Sequence, residues 1–210
     1  MSLNTEVADE VSIPTQPAWG AVFAMSFGVF SLITAEFLPI SLLTPIARSL
    51  NVSEGLAGQT VTVTALIALL TSLTVGSLVR RIDRRVVMLA FSLLLIVSAL
   101  MVALAANLTV ILLARVLLGV AIGGFWTLST AITMRLVPAD QVPRALSIVF
   151  SGISLATIIA TPLGSYLGGL VGWRAIFLFT AGLGATSLLW QFFTLPAMPA
   201  EGNARSGGVL

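Results

Sequence analysis

The chain has 210 residues, of which 58% are hydrophobic and only 9% charged, with ten basic and eight acidic side chains. A soluble domain carries about 25% charged residues, so most of this chain cannot face water. The net charge of +2 comes with no basic stripe interleaved with aromatics, which leaves nucleic-acid binding without support. Cysteine, histidine and lysine are all absent. That removes disulfides, thiolate nucleophiles, Ser–His dyads, Schiff-base and phosphate-loop lysines, and the commonest metal ligands. No cofactor or metal site is expected.

Residues 1–17 are polar, carry Glu6, Asp9 and Glu10, and lack the basic start of a secretory signal peptide. They read as a disordered cytoplasmic tail. Residues 18–196 form one membrane domain of six apolar runs, each near the roughly 20 residues that a spanning helix needs. The first runs from about Trp19 to Ile46, the second from Gly58 to Val79, and the third from Val86 to Ala106. The fourth covers Thr109 to Leu136, the fifth Ala145 to Val171, and the sixth Ala175 to Leu195. Pro196 and Pro199 end the pattern, and residues 197–210 read as the start of a loop. The fold class is therefore an all-α membrane protein.

Arginine placement sets the orientation. Arg80, Arg81, Arg84, Arg85, Arg135, Arg144 and Arg205 lie on one side, against Arg48 and Arg174 on the other. Both termini are expected in the cytoplasm, in the inner membrane.

The third span is apolar all round, as suits a helix facing lipid. The first, second, fourth and fifth carry Ser and Thr and are expected to line something polar. Candidate cavity residues are Thr34, Ser41, Gln59, Thr62, Trp126 and Thr130. The alternative for each hydroxyl is a bond to its own helix backbone.

Of the eight acids, Glu36 alone sits inside a span. A carboxylate in a bilayer is expensive and usually marks a proton or ion path. The alternative is permanent fixation by one arginine. Arg115 is the natural partner, because the other arginines border loops. At 1.5 Å per residue it lies about 9 Å inside the fourth span, and Glu36 about 18 Å below Arg48, so long side chains can meet directly or through water. Gly119 and Gly123 follow Arg115 at small-xxx-small spacing. Pro39 and Pro45 can kink the first span just beyond Glu36, and Pro162 the fifth.

These elements together resemble the major facilitator superfamily, and more closely its drug–proton antiporter branch of twelve helices. GSLVRRIDRRVV (Gly76 to Val87) sits where that family has its signature between helices 2 and 3. ARVLLGVAIGG (Ala114 to Gly124) is similar to the helix 4 signature and maps its arginine onto Arg115. ATPLGSYLGGLVGWRAIF (Ala160 to Phe177) looks like the antiporter signature of helix 5. EFLPISLLTPIARSLNVSEGLAGQTVTVTA (Glu36 to Ala65) looks particularly like the purine-ribonucleoside efflux permeases, with sugar-efflux relatives sharing a looser version.

The resemblance implies a half-transporter built from two inverted three-helix repeats, with the substrate between two such halves. It implies gating roles for Gly76, Arg80, Asp83, Arg84, Arg85, Gly119, Gly123, Pro162 and Gly164. Two departures fall inside the signatures. Arg80 stands where the first normally has its acid, with Asp83 where a glycine is usual, and Thr161 precedes Pro162 in place of a glycine. The third is length, since the chain stops where the central loop would be.

The expected activity is proton-coupled efflux of a small polar solute, nucleoside-like by resemblance only. A membrane enzyme lacks the histidine or clustered acids it would need. The remaining alternatives are a nontransporting fragment, a half-size subunit that pairs with a second copy or a missing C-terminal half, and a sugar or drug carrier.

Overall fold

A computed structural model describes residues 17–79 and 82–198, apart from the side chain of Leu78. The helices are α1 (Trp19–Ser41), α2 (Leu43–Leu50), α3 (Glu54–Leu78), α4 (Arg84–Ala103), α5 (Leu108–Leu136), α6 (Val142–Val171) and α7 (Trp173–Thr194). A single 3-10 turn, Ala139–Gln141, precedes α6. Among the described residues, six helices are long and apolar enough to cross a membrane. The expected tails and Arg80 lie largely outside the described residues.

Local chemistry explains the boundaries. Ser53 caps α3 by accepting from Leu56 N–H, and Asn107 caps α5 by accepting from Val110 N–H. Gly172, at φ 83°, makes the turn from α6 into α7, in a region that favours glycine. The first expected span differs most from expectation. It does not run unbroken from Trp19 to Ile46 but ends at Ser41 and restarts at Leu43. Pro39 and Pro45 bracket this joint, and neither has an N–H to give to a carbonyl one turn earlier.

Three helix pairs build the bundle. α1 packs along α6, α3 along α5, and α4 along α7. Exchanging α1 with α5, α3 with α6, and α4 with α7 turns the first pair into the second and leaves the third unchanged. That is the pattern of two three-helix repeats related by a two-fold axis. Small residues allow the close approaches. A side chain at Gly119 would stand 2.8 Å from the Thr64 carbonyl oxygen, and one at Gly123 would strike the carbonyl of Ala68. Gly164 faces Leu38 and Ser41 across the α1–α6 contact. Pro162 lies exposed within α6, which continues through it to Val171.

Burial is uneven. The most apolar stretches of α1 and α5 are 67% and 56% buried, against 17% for α3 and 22% for the α6 span. The core runs through Met25, Val29, Leu32, Met88, Phe91, Leu118, Phe125 and Ile132. The third span, α4, is not apolar and lipid-facing all round. One face exposes Val86, Leu93 and Val97. The other buries Ser92, which donates to Gln191 Oε1 at 2.9 Å, and Ser98, which donates to the Ala114 carbonyl at 2.7 Å. Both hydroxyls donate to adjacent helices, Ser92 to α7 and Ser98 to α5, rather than facing lipid.

Candidate functional site

The bundle centre is organised by the joint in α1. In a regular helix residue 39 would donate its N–H to the carbonyl of Ala35. Residue 39 is proline, so that carbonyl is left free. Arg115, reaching across from α5, donates to it from Nη1 at 2.8 Å. The guanidinium also lies over the Phe177 ring of α7, 5.3 Å from its centroid. Arg115 is 1% exposed, the largest fully buried side chain among the described residues. Its Nε and Nη2 have no hydrogen-bond partner.

Glu36 follows Ala35 directly and is half-buried. No ion pair within 4.0 Å joins it to Arg115 among the described residues; the carbonyl bond takes that place. The two charges still act on each other through space. Arg115 is thus held by a neutral carbonyl beside an acid that it does not grip. The bond that positions the arginine does not involve the Glu36 carboxyl group.

The other expected site residues fall into three groups. Thr34 lies one residue before Ala35 with its Oγ1 buried and without a partner. It lines an apolar crevice of about 210 Å³ between α1, α6 and α7, together with Phe30, Leu38, Leu163, Gly164 and Thr180. Ser41 sits at the end of α1 and donates to the Leu38 carbonyl. Gln59, Thr62 and Thr130 are exposed on α3 and α5 rather than gathered in that crevice, and Trp126 is half-buried against Phe150. Several other hydroxyls bond their own helix, among them Ser31, Thr64, Thr133 and Thr157.

At the end of the bundle where α3 leads into α4, Asp83 caps α4 by accepting from Arg85 N–H at 2.8 Å. Arg85 donates from Nη2 to the Phe192 carbonyl near the end of α7 at 2.6 Å. Arg84 takes part in the same end, and a side chain added at Gly76 would stand 3.7 Å from Thr127 Cγ2. Two polar groups escaped the sequence reading. Gln191, fully buried on α7, links Ser92 to Ser187, to which it donates at 3.0 Å. The Ala35 carbonyl was signalled only by the proline four residues on.

Paired repeats around a buried arginine and a half-buried acid, all within membrane-crossing helices, define a membrane transport fold. The Major Facilitator Superfamily profile matches residues 25–208, and the chain belongs to that family. It is 50% identical over 201 residues to the purine ribonucleoside efflux pump NepI of Salmonella enteritidis PT4, a match covering 95% of this chain and 51% of that protein. The same figures hold for the pump of that name from Salmonella typhi. The chain spans about half the length of these relatives.

Among solved structures, a bacterial homolog to the human lysosomal transporter Spinster, inward-facing and unoccupied, superposes with a TM-score of 0.75 at 17% identity. That match covers 89% of this chain and 45% of the other. A D-xylose–proton symporter gives 0.68 at 18% identity, covering 86% and 47%. At such identities these likenesses speak for the fold alone.

Proposed function

We propose that this chain is the N-terminal half of a proton-coupled efflux carrier for a small polar solute of the purine nucleoside class. The observation that carries the reading is the fully buried Arg115, fixed to the carbonyl that Pro39 frees, beside Glu36, the one acid well inside a span among the described residues. Glu36 takes up and releases the coupling proton. Its charge state changes the field at Arg115, whose Nε and Nη2 stay free for a solute, a water or the carboxylate itself. This half then rocks against the second half about the solute site between them, while glycines keep the α1–α6 and α3–α5 contacts inside it close.

The nucleoside class rests on the 50% identity with the named pumps. The arginine-rich end is assigned to the cytoplasm of the inner membrane, with both termini there. The weakly buried α3 and α6 support pairing with a second half. Leu69 and Leu73 on α3, and Ile158 and Leu170 on α6, expose 57%, 74%, 71% and 67% of their surface. A missing C-terminal half or a second copy of this chain would cover them.

The test is uptake of labelled inosine into inverted vesicles, with and without an imposed proton gradient. Vesicles hold the chain alone or with the C-terminal half of a relative. Gradient-dependent uptake in the paired vesicles supports the proposal, and uptake by the chain alone identifies a half-size carrier acting as a dimer. Absence of uptake in both, with each protein present in the membrane, rejects it. Blue-native electrophoresis separates the two pairing modes.

A further inference from the structure

Asp83 occupies a position that its signature normally gives to glycine, and its carboxylate does more than cap a helix. Besides the bond from Arg85 N–H, it accepts the Met198 N–H on both oxygens, Oδ1 at 3.1 Å and Oδ2 at 3.2 Å. The pairing is reciprocal, because the Arg84 N–H donates to the Met198 carbonyl at 3.3 Å. Met198 lies in the segment that follows α7, 115 residues away in sequence from Asp83. Its side chain is 5% exposed and belongs to the main core, as does that of Leu195 at 2%.

The neighbouring Arg85 completes the attachment from the same turn. The last carbonyls of α7 have no partner within the helix. Arg85 satisfies that of Phe192 and lies over the Phe192 ring at 5.4 Å.

We propose that Asp83 is a clasp. It fastens the chain leaving α7 to the turn before α4, so that this end of α4, α7 and the departing segment move as one body. A glycine at this position has no side chain to accept either N–H. The clasp therefore fixes the segment from Leu195 to Met198 against the turn before α4, a positioning role distinct from proton coupling at Glu36. It stands whether or not the carrier reading is right.

Amide hydrogen exchange on the purified chain in nanodiscs tests it. Charge-assisted hydrogen bonds carry an equilibrium weight of about tenfold to a hundredfold. Asp83→Gly is expected to speed exchange at Met198 by about that factor, while amides in mid-span α4 and α7 stay unchanged. Asp83→Ser separates the clasp from the cap. Serine still caps α4, but its shorter side chain does not reach Met198, so Arg85 stays protected while Met198 is released. Asp83→Asn keeps one acceptor oxygen and is expected to fall between. Unchanged protection at Met198 in Asp83→Ser overturns the proposal, as does equal loss throughout α4 and α7, which would make Asp83 a general stabiliser.

Discussion

Replacing Arg115 with methionine asks whether that side chain is kept for stability or for transport. Its placement returns one bond from a charged donor, worth about 1.5–3 kcal/mol, to the Ala35 carbonyl. The Phe177 ring beneath it adds about 2 kcal/mol in a desolvated setting. Against that, a charge at membrane depth costs about 2.5–3.5 kcal/mol. Two buried donors without partners, Nε and Nη2, cost about 1–3 kcal/mol each. Removing the arginine also leaves the buried Ala35 carbonyl without a donor, at about 1–3 kcal/mol, so the terms nearly cancel and Arg115→Met is expected to lie within about 2 kcal/mol of the wild type. Equilibrium unfolding of the purified chain in mixed micelles reads this directly. In paired vesicles the same variant is expected to abolish gradient-driven uptake. A loss of about 3–5 kcal/mol, the usual result of breaking a satisfied buried pair, would show that Arg115 holds the bundle together and would refute the reasoning.

Three further outcomes follow from packing. Gly119→Leu drives side-chain atoms into the Thr64 carbonyl and Ile67, and is expected to destabilise by about 1–3 kcal/mol in the same unfolding assay, as overpacking does; a change below about 0.5 kcal/mol contradicts the α3–α5 contact. Ser92→Ala leaves Gln191 Oε1 buried without its donor, at a cost of about 1–3 kcal/mol. Adding Gln191→Leu should recover part of that loss in a double-mutant cycle, and strict additivity would argue against the bond. Pro39→Ala restores the N–H that the Ala35 carbonyl lacks, so α1 and α2 are expected to straighten. Spin labels at Gly20 and Arg48, introduced into a chain without native cysteine, should then move apart, and an unchanged distance removes Pro39 as the cause of the joint.

The six spans were legible because roughly 20 apolar residues in a row have few other uses. Their ends fell within a few residues of the helices found, the joint at Leu42 apart, but the caps Ser53 and Asn107 that set the starts of α3 and α5 were not read. Less legible were the contacts that cross the bundle. Pro39 announced a kink, but nothing local announced that the carbonyl it frees would be taken by Arg115, 80 residues on. Ser92 and Ser98 looked inert in an apolar run, since hydroxyls commonly bond their own helix; their partners come from α7 and α5. Gln191 carries an amide deep inside a span and could have been flagged by the same argument that singled out Glu36. Asp83 was noticed as a departure from a signature, yet its second partner, Met198, belongs to a stretch that reads as plain loop. Periodicity reports which face of a helix is apolar, and is silent on which distant backbone group will need a donor.

Comparing Glu36→Gln with the wild type in proteoliposomes that hold both halves bears most directly on the account. Two rates are measured on each sample, accumulation of labelled nucleoside against its gradient under an imposed pH difference, and exchange across the membrane with no pH difference. The account predicts that Glu36→Gln loses accumulation and keeps exchange, because the neutral side chain leaves Arg115 on its carbonyl but carries no proton. Undiminished accumulation in that variant would contradict it.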